Sequence, residues 1–386
     1  MEILVIGAGY VGLSIATMLS INNKVSIIDI DKNKTTKINK RINPIKDDMI
    51  SYYFQNKKLN LKCFYNYNDI NKFDYAFICT PTNYDQINNT LNTDSITNTI
   101  NELEKINKKG VIIIKSTIPV GYMDSIKNKY KNTLLFSPEF LRECSSLHDL
   151  LNPDRIIISP NNIYAKNYSI FIKKYIEKKD TPILFMECKE AESVKLFSNA
   201  YLALRISFFN ELDNFAISNN LNTSDIIKGV SLDNRIGDYY NNPSFGFGGY
   251  CLPKDTLQLE NLYEKIPNAI IKNIIKSNNI RKQFIISEIL KTNKKNIGIY
   301  KLEMKKNSDN HRTSSMIDII KLLDNANKKL YLYDPNITKF DYKNITLCND
   351  LKEFKKISEI IVTNRMNEDL LDVLYKVYTR DTFNIN

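Results

Sequence analysis

At 386 residues the chain exceeds one ordinary hydrophobic core, so two or three domains are expected. Hydrophobic residues make up 43% and charged residues 25%, a globular balance that excludes disorder, and no run reaches the roughly 20 apolar residues of a membrane span. The net charge of +11 comes from lysines spread along the chain without an arm or stripe, which argues against nucleic acid and suits a small anionic ligand.

The chain opens with "MEILVIGAGYVGLSIATMLS". Ile3 to Ile6 suit a strand buried on both faces. Gly7, Gly9 and Gly12 then form G-x-G-x-x-G around Tyr10 and Val11, and helix formers continue to Ser20. Gly7 permits a tight turn, Gly9 lets backbone approach a pyrophosphate, and Gly12 lets the helix pack close to the strand. "NKVSIIDID" is a second strand ending in Asp29, an acid placed to accept hydrogen bonds from a ribose 2′-hydroxyl, which favours NAD over NADP. Asp31, the competing acid, suits a helix cap. The opening has no basic leader, so a soluble cytoplasmic protein is expected.

Strand-like runs follow at "FDYAFICTPT", "GVIIIKSTIPVG" and "TLLFSPEFL". Each ends in a turn, and in an open parallel sheet ligands collect beyond such strand ends. That topology puts Thr82, Thr117, Glu139 and Glu143 near the nicotinamide end, although a Thr-Pro pair is also an ordinary turn. From Glu190, "EAESVKLFSNAYLALRISFFNELDNFAISNN" predicts one long helix with Val194, Phe197, Tyr201, Leu204 and Phe208 as its apolar stripe. Lys195 and Asn199, four residues apart, project from one face. With a second long helical pattern at "AIIKNIIKSNNIRKQFIISEILK", these aromatic helices predict a homodimer.

Between the two helices lies "PSFGFGGYCLPKDTLQL", with Cys251 after a glycine run. The six cysteines form no CxxC pair, and His148 and His311 are the only histidines. Neither zinc, nor a disulfide framework, nor a serine–histidine triad is expected. Pro253 suits a helix first turn, with Leu257, Leu259 and Leu262 continuing an apolar pattern and Lys254 adding positive charge. A thiol there can be a thiolate nucleophile, although free cysteines usually serve as small buried hydrophobes. NAD and a nucleophilic thiol together can carry an alcohol to an acid. The thiol adds to the aldehyde, the adduct gives up a second hydride, and water hydrolyses the thioester. Lys195 and Asn199 fit the oxyanion; Asp255, Glu143 or Glu139 fit proton handling. After Asn293 strand and helix alternate again, with Lys305 and Arg312 in a polar loop that could meet phosphates.

Taken in order, "GAGYVGL", "CTPTNY", "STIPVG", "FSPEFLRE", "EAESVKLFSNAYLALRISFFNELD", "RIGDYYNNPSFGFGGYCLPKDT" and "KNSDNHR" resemble the UDP-glucose/GDP-mannose dehydrogenase family across nearly the whole chain. The resemblance implies an α/β protein with two Rossmann-like doubly wound domains joined by a long central helix through which dimers form. Its parts would be 1–190 for NAD, 191–292 for dimerisation and catalysis, and 293–386 for the UDP-sugar. It implies oxidation of a nucleotide sugar's primary alcohol to a carboxylate with reduction of two NAD, and UDP-glucose as the substrate. UDP-N-acetylhexosamine and GDP-mannose are the alternatives.

Position by position, the resemblance implies Cys251 as nucleophile, Lys195 and Asn199 on the oxyanion, Asp255 and Thr117 orienting water, and Glu143 in proton transfer or thioester hydrolysis. Besides the glycine loop with Tyr10 and Val11, Asp29, Thr82, Thr117, Glu143, Lys254 and Arg312 would face NAD. Glu139, Phe140, Leu141, Arg142, Glu143, Lys195, Asn199, Tyr240, Asn241, Asn242, Pro243, Ser244, Gly248 and Lys305 would face the sugar nucleotide. Arg235 would reach a partner's substrate. Cys144 departs from the family, which more often has a small residue there. Among other readings, a single-step hydroxyacid dehydrogenase needs no acyl-enzyme thiol, and a binding protein without turnover needs no catalytic set.

Overall fold

Ile3 to Ile6 do form a strand, Glu2–Ile6, in the middle of a six-stranded parallel sheet. Across the sheet the strands run Leu61–Phe64, Lys24–Ile28, Glu2–Ile6, Tyr75–Ile78, Val111–Ile114 and Thr133–Phe136. The order therefore reverses between Glu2–Ile6 and Tyr75–Ile78, where a ligand crevice opens in such sheets. Alternate side chains fill opposite cores. Val5, Phe77 and Ile113 pack on one face with Leu13 of the helix Tyr10–Leu19. Leu4, Ile78 and Ile112 pack on the other with Ile96, Ile100 and Leu103 of the helix Asp94–Ile106. The computed structural model describes residues 1–302, 314–337, 339–340, 342 and 344–384. Lys305 and Arg312 lie outside the described residues.

The chain divides into two compact units, Met1–Phe197 and Ser198–Asn386. A helix of 31 residues, Cys188–Ser218, begins in the first and ends in the second. Its buried line is Leu196, Ala200, Ala203, Ser207 and Asn210, whereas Phe197, Tyr201 and Phe208 of the expected stripe are exposed. That line packs largely through small residues, with Phe209 also buried, whereas Phe197, Tyr201 and Phe208 face outward.

In the second unit five parallel strands run Ile345–Leu347, Lys329–Tyr333, Asn296–Tyr300, Ile360–Val362 and Val377–Tyr378. This sheet shows the same reversal beside its first strand. The second long helical pattern is the helix Ile270–Lys291. Together the two sheets give the α/β, twice Rossmann-like architecture. Among the described residues no helix is long and apolar enough to cross a membrane.

Candidate active site

The glycine fingerprint folds as a tight cradle at the sheet's reversal. Gly7 has φ +97°, in the region glycine favours, and its N–H donates to Ile28 O at 2.8 Å. A Cβ on Gly12 would lie 1.9 Å from the Gly7 carbonyl oxygen, whereas one on Gly9 would meet nothing within 4 Å. Gly12 is thus required by packing and Gly9 by open space. Asp29 accepts from Ala8 N at 2.7 Å, which ties the loop to the end of the second strand, and from Asp31 N at 2.9 Å. Asp31 caps the helix Lys32–Asn39 through the amides of Asn33 and Lys34. A glycine loop open at Gly9, opening a helix and backed by a strand-end acid, fits the pyrophosphate and ribose of a dinucleotide. Tyr10 and Val11 are half-buried on that helix, with the Tyr10 hydroxyl 3.9 Å from Cys144 Sγ.

The loops after the next strands converge. Thr82, buried, donates from its hydroxyl to Thr117 O at 2.8 Å, and Ser116 donates to Thr80 O at 2.7 Å. Beside them Lys115 is buried at 8% exposure, with Nζ 3.4 Å from Ser137 Oγ. Burial lowers its ammonium pKa to about 8, against the upward pull of Cys79 and Glu139. The sequence reading missed Lys115, whose signal is a single charge closing the apolar run "VIIIK". Lys195, also buried, donates to Glu139 O at 2.7 Å, sits 3.1 Å from Glu139 Oε1, and lies 5.4 Å over the Phe140 ring. The guanidinium of Arg155 covers the same ring at 3.9 Å. Leu141 N donates to Glu139 Oε2 at 3.3 Å. Glu143 is half-buried, and Cys144 after it has φ +68°. Arg142 is held by Asp149 at 2.8 Å, an exposed arginine with a local partner.

In the second unit Cys251 is half-buried and is the first residue of the helix Cys251–Leu262. Helix N-terminal amides favour a thiolate there. The expected apolar face is corrected: the buried residues are Lys254, Asp255, Thr256, Gln258 and Leu259, so this helix buries polar groups. Asp255 is fully buried between two donors, Asn199 Nδ2 at 2.5 Å and Lys254 Nζ at 2.8 Å. Burial alone would lower the Lys254 ammonium pKa, but Asp255, helped by Cys251 and Tyr250, shifts it upward overall. A charge pair this deep is costly to keep dry and marks chemistry more than stability.

The run Asn241 to Phe247 is buried and fastened along its length. Asn242 donates to Asp381 at 2.6 Å and accepts from Thr382 N at 3.0 Å, Ser244 N donates to Asn210 at 2.8 Å, and Pro243 O accepts from Arg365 at 2.9 Å. The Asn242 amide therefore works on the protein itself. Tyr240 is 37% exposed with φ +51°, Gly248 is half-buried, and Arg235 is exposed beside Asp233 at 2.6 Å. Lys195 and Asn199 thus engage different carboxylates, Glu139 and Asp255. Among the described residues no cluster of three or more His, Cys, Asp or Glu could hold a metal ion.

Comparison with known proteins agrees with these parts. Residues 1–174 match the UDP-glucose/GDP-mannose dehydrogenase family NAD binding domain, 189–280 its central domain, and 298–385 its UDP binding domain. The chain is 47% identical to a Campylobacter jejuni UDP-glucose 6-dehydrogenase over 99% of both chains, and 42% identical to one from Streptococcus pneumoniae over 99% of both. Its fold is that of a UDP-glucose dehydrogenase from Pyrobaculum islandicum, with TM-score 0.88, 23% identity, and coverage of 99% of this chain and 95% of the other. The glycine-loop sheet, the thiol-bearing central region and the second parallel sheet thus match those three domains in order, and the chain belongs to the UDP-glucose/GDP-mannose dehydrogenase family.

Proposed function

We propose that the protein oxidises UDP-glucose to UDP-glucuronate in two steps through a covalent thioester on Cys251. The observation that carries this reading is the Cys251 thiol at the N-terminus of a helix whose buried face holds Lys254 and Asp255. The sugar is assigned on the 47% and 42% identical relatives, both named UDP-glucose 6-dehydrogenase. NAD, when bound, supplies the hydride acceptor for both oxidations.

The first oxidation removes a hydride from the primary carbon and releases the hydroxyl proton to solvent, leaving an aldehyde. The Cys251 thiolate adds to its carbon, forming a C–S bond and an oxyanion, which the Lys195 ammonium and the Asn199 amide stabilise. Loss of a second hydride from the adduct leaves a thioester. Asp255 and Thr117 orient a water, and Glu143 takes its proton as it attacks. The C–S bond breaks, the thiolate is regenerated, and the carboxylate leaves. Lys254 holds the Asp255 carboxylate in place for this task, with Nζ 2.8 Å from Oδ1. Two NADH should form per nucleotide sugar consumed, read from absorbance against product; a ratio of one would refute the double oxidation.

We also infer a homodimer that uses the long helix. Tyr201, Phe208 and Phe215 recur every seven residues and are 58%, 58% and 60% exposed, a larger aromatic stripe than a solvated helix face carries. Substituting lysine at both 201 and 208 should turn a dimer into a monomer in analytical ultracentrifugation. Wild-type protein that sediments as a monomer would sink this assignment.

A further inference from the structure

Glu192 sits three residues before Lys195 on the long helix, is fully buried, and plays no part in the reaction above. Its carboxylate accepts from two backbone amides, Gly121 N at 2.5 Å and Met123 N at 2.8 Å. Those amides open the short helix Tyr122–Ile126, whose cap Gly121 has φ +91° and offers no side chain of its own. The charged groups that act on Glu192 are Asp124 and Lys189, and Lys189 is exposed and turned to Asp124 at 3.6 Å. Among the described residues, then, the buried acid forms no ion pair. Desolvation pushes its carboxyl up to about 7, against the pull of the two amides. A group this costly to bury is unnecessary for capping a helix of five residues, since serine or asparagine caps helices well.

The loop it grips is the one that carries Thr117. Ser116 is bound to Thr80 O and Thr117 O to the Thr82 hydroxyl, so the loop is pinned at its start by neighbouring loops and at its end by Glu192. One turn along the same helix, Lys195 grips the Glu139 loop in the same manner, through a backbone carbonyl and a carboxylate. A single turn of helix therefore sets the register of both loops.

We propose that Glu192 is a positioning residue, which through the amides of Gly121 and Met123 holds the Thr117 loop in the geometry that turnover needs. This rests on the reading of Thr117 as a group that orients water. Glu192→Gln keeps the shape but replaces one acceptor oxygen with a donor, so one amide loses its partner. In steady-state assays with NAD and UDP-glucose it should lower kcat about 10-fold or more while both KM values stay within about 3-fold, since small misplacements cost rate more than binding. If Glu192 acts through Thr117, adding Glu192→Gln to Thr117→Ala should slow the enzyme little further, whereas independent sites would multiply their effects. Glu192→Asp, which keeps the carboxylate, should recover part of the rate, and it runs the same cycle if the glutamine variant does not fold.

Multiplicative effects, or an unchanged kcat in the Glu192 variants, would overturn the inference while a slow Thr117→Ala enzyme leaves the reading of Thr117 intact. A Thr117→Ala enzyme with wild-type kcat would instead remove that reading, and the inference with it.

Discussion

Cys251→Ser protein should bind NAD as the wild type does yet release no sugar acid, with turnover down by at least about 1,000-fold. The thiol stands at the first residue of its helix, where the N-terminal amides favour the thiolate. A serine hydroxyl at the same place stays protonated and forms no adduct that can be oxidised and then hydrolysed. The variant should therefore stop after the first hydride, with no more than one NADH per site in a single-turnover trace. Glucuronate released at the normal rate would remove the covalent route altogether. Because the substitution changes one atom on a half-buried side chain, the melting temperature should hardly move, and the loss reports chemistry rather than unfolding.

The second large effect separates two glycines of one loop. Gly9→Ala should leave the fold as stable as the wild type, because the added methyl meets nothing within 4 Å, yet it should abolish measurable NAD binding by occupying the place of the pyrophosphate. Gly12→Ala should lose both. Its methyl would lie 1.9 Å from Gly7 O and 3.2 Å from Cys79 Cβ, so helix and strand must part, at a cost of about 2–4 kcal/mol in denaturant titration. Thermal melting and NADH fluorescence titration on the two variants provide the check. Equal stability of both, or NAD affinity retained by Gly9→Ala, would contradict the cradle.

The parts of the fold that could be read from the chain are those set by local pattern. The strand Glu2–Ile6, the glycine turn and the helix after it each follow from a short run whose chemistry permits little else. The long helix was legible in extent but not in orientation. Large aromatics suggested the buried side, whereas Ala200, Ala203 and Ser207 occupy it, because close packing needs small residues as much as apolar ones. In the helix after Cys251 the leucine spacing marked Leu259 correctly, but it could not show that Lys254, Asp255, Thr256 and Gln258 are buried beside it. Buried charges such as Lys115 and Glu192 escape periodicity arguments, since their partners lie on other strands and loops. The Asn242–Asp381 pair spans 139 residues, a separation at which sequence pattern is silent.

The polar interior of the helix Cys251–Leu262 also sets a trade between durability and work. Exchanging Lys254 and Asp255 together for well-packed apolar residues removes two desolvated charges, a change that commonly strengthens a fold. A laboratory selection that rewards heat resistance alone would therefore drift toward robust but inert proteins, emptied of charge at 254 and 255. Only a screen that also demands turnover keeps that interior ionic.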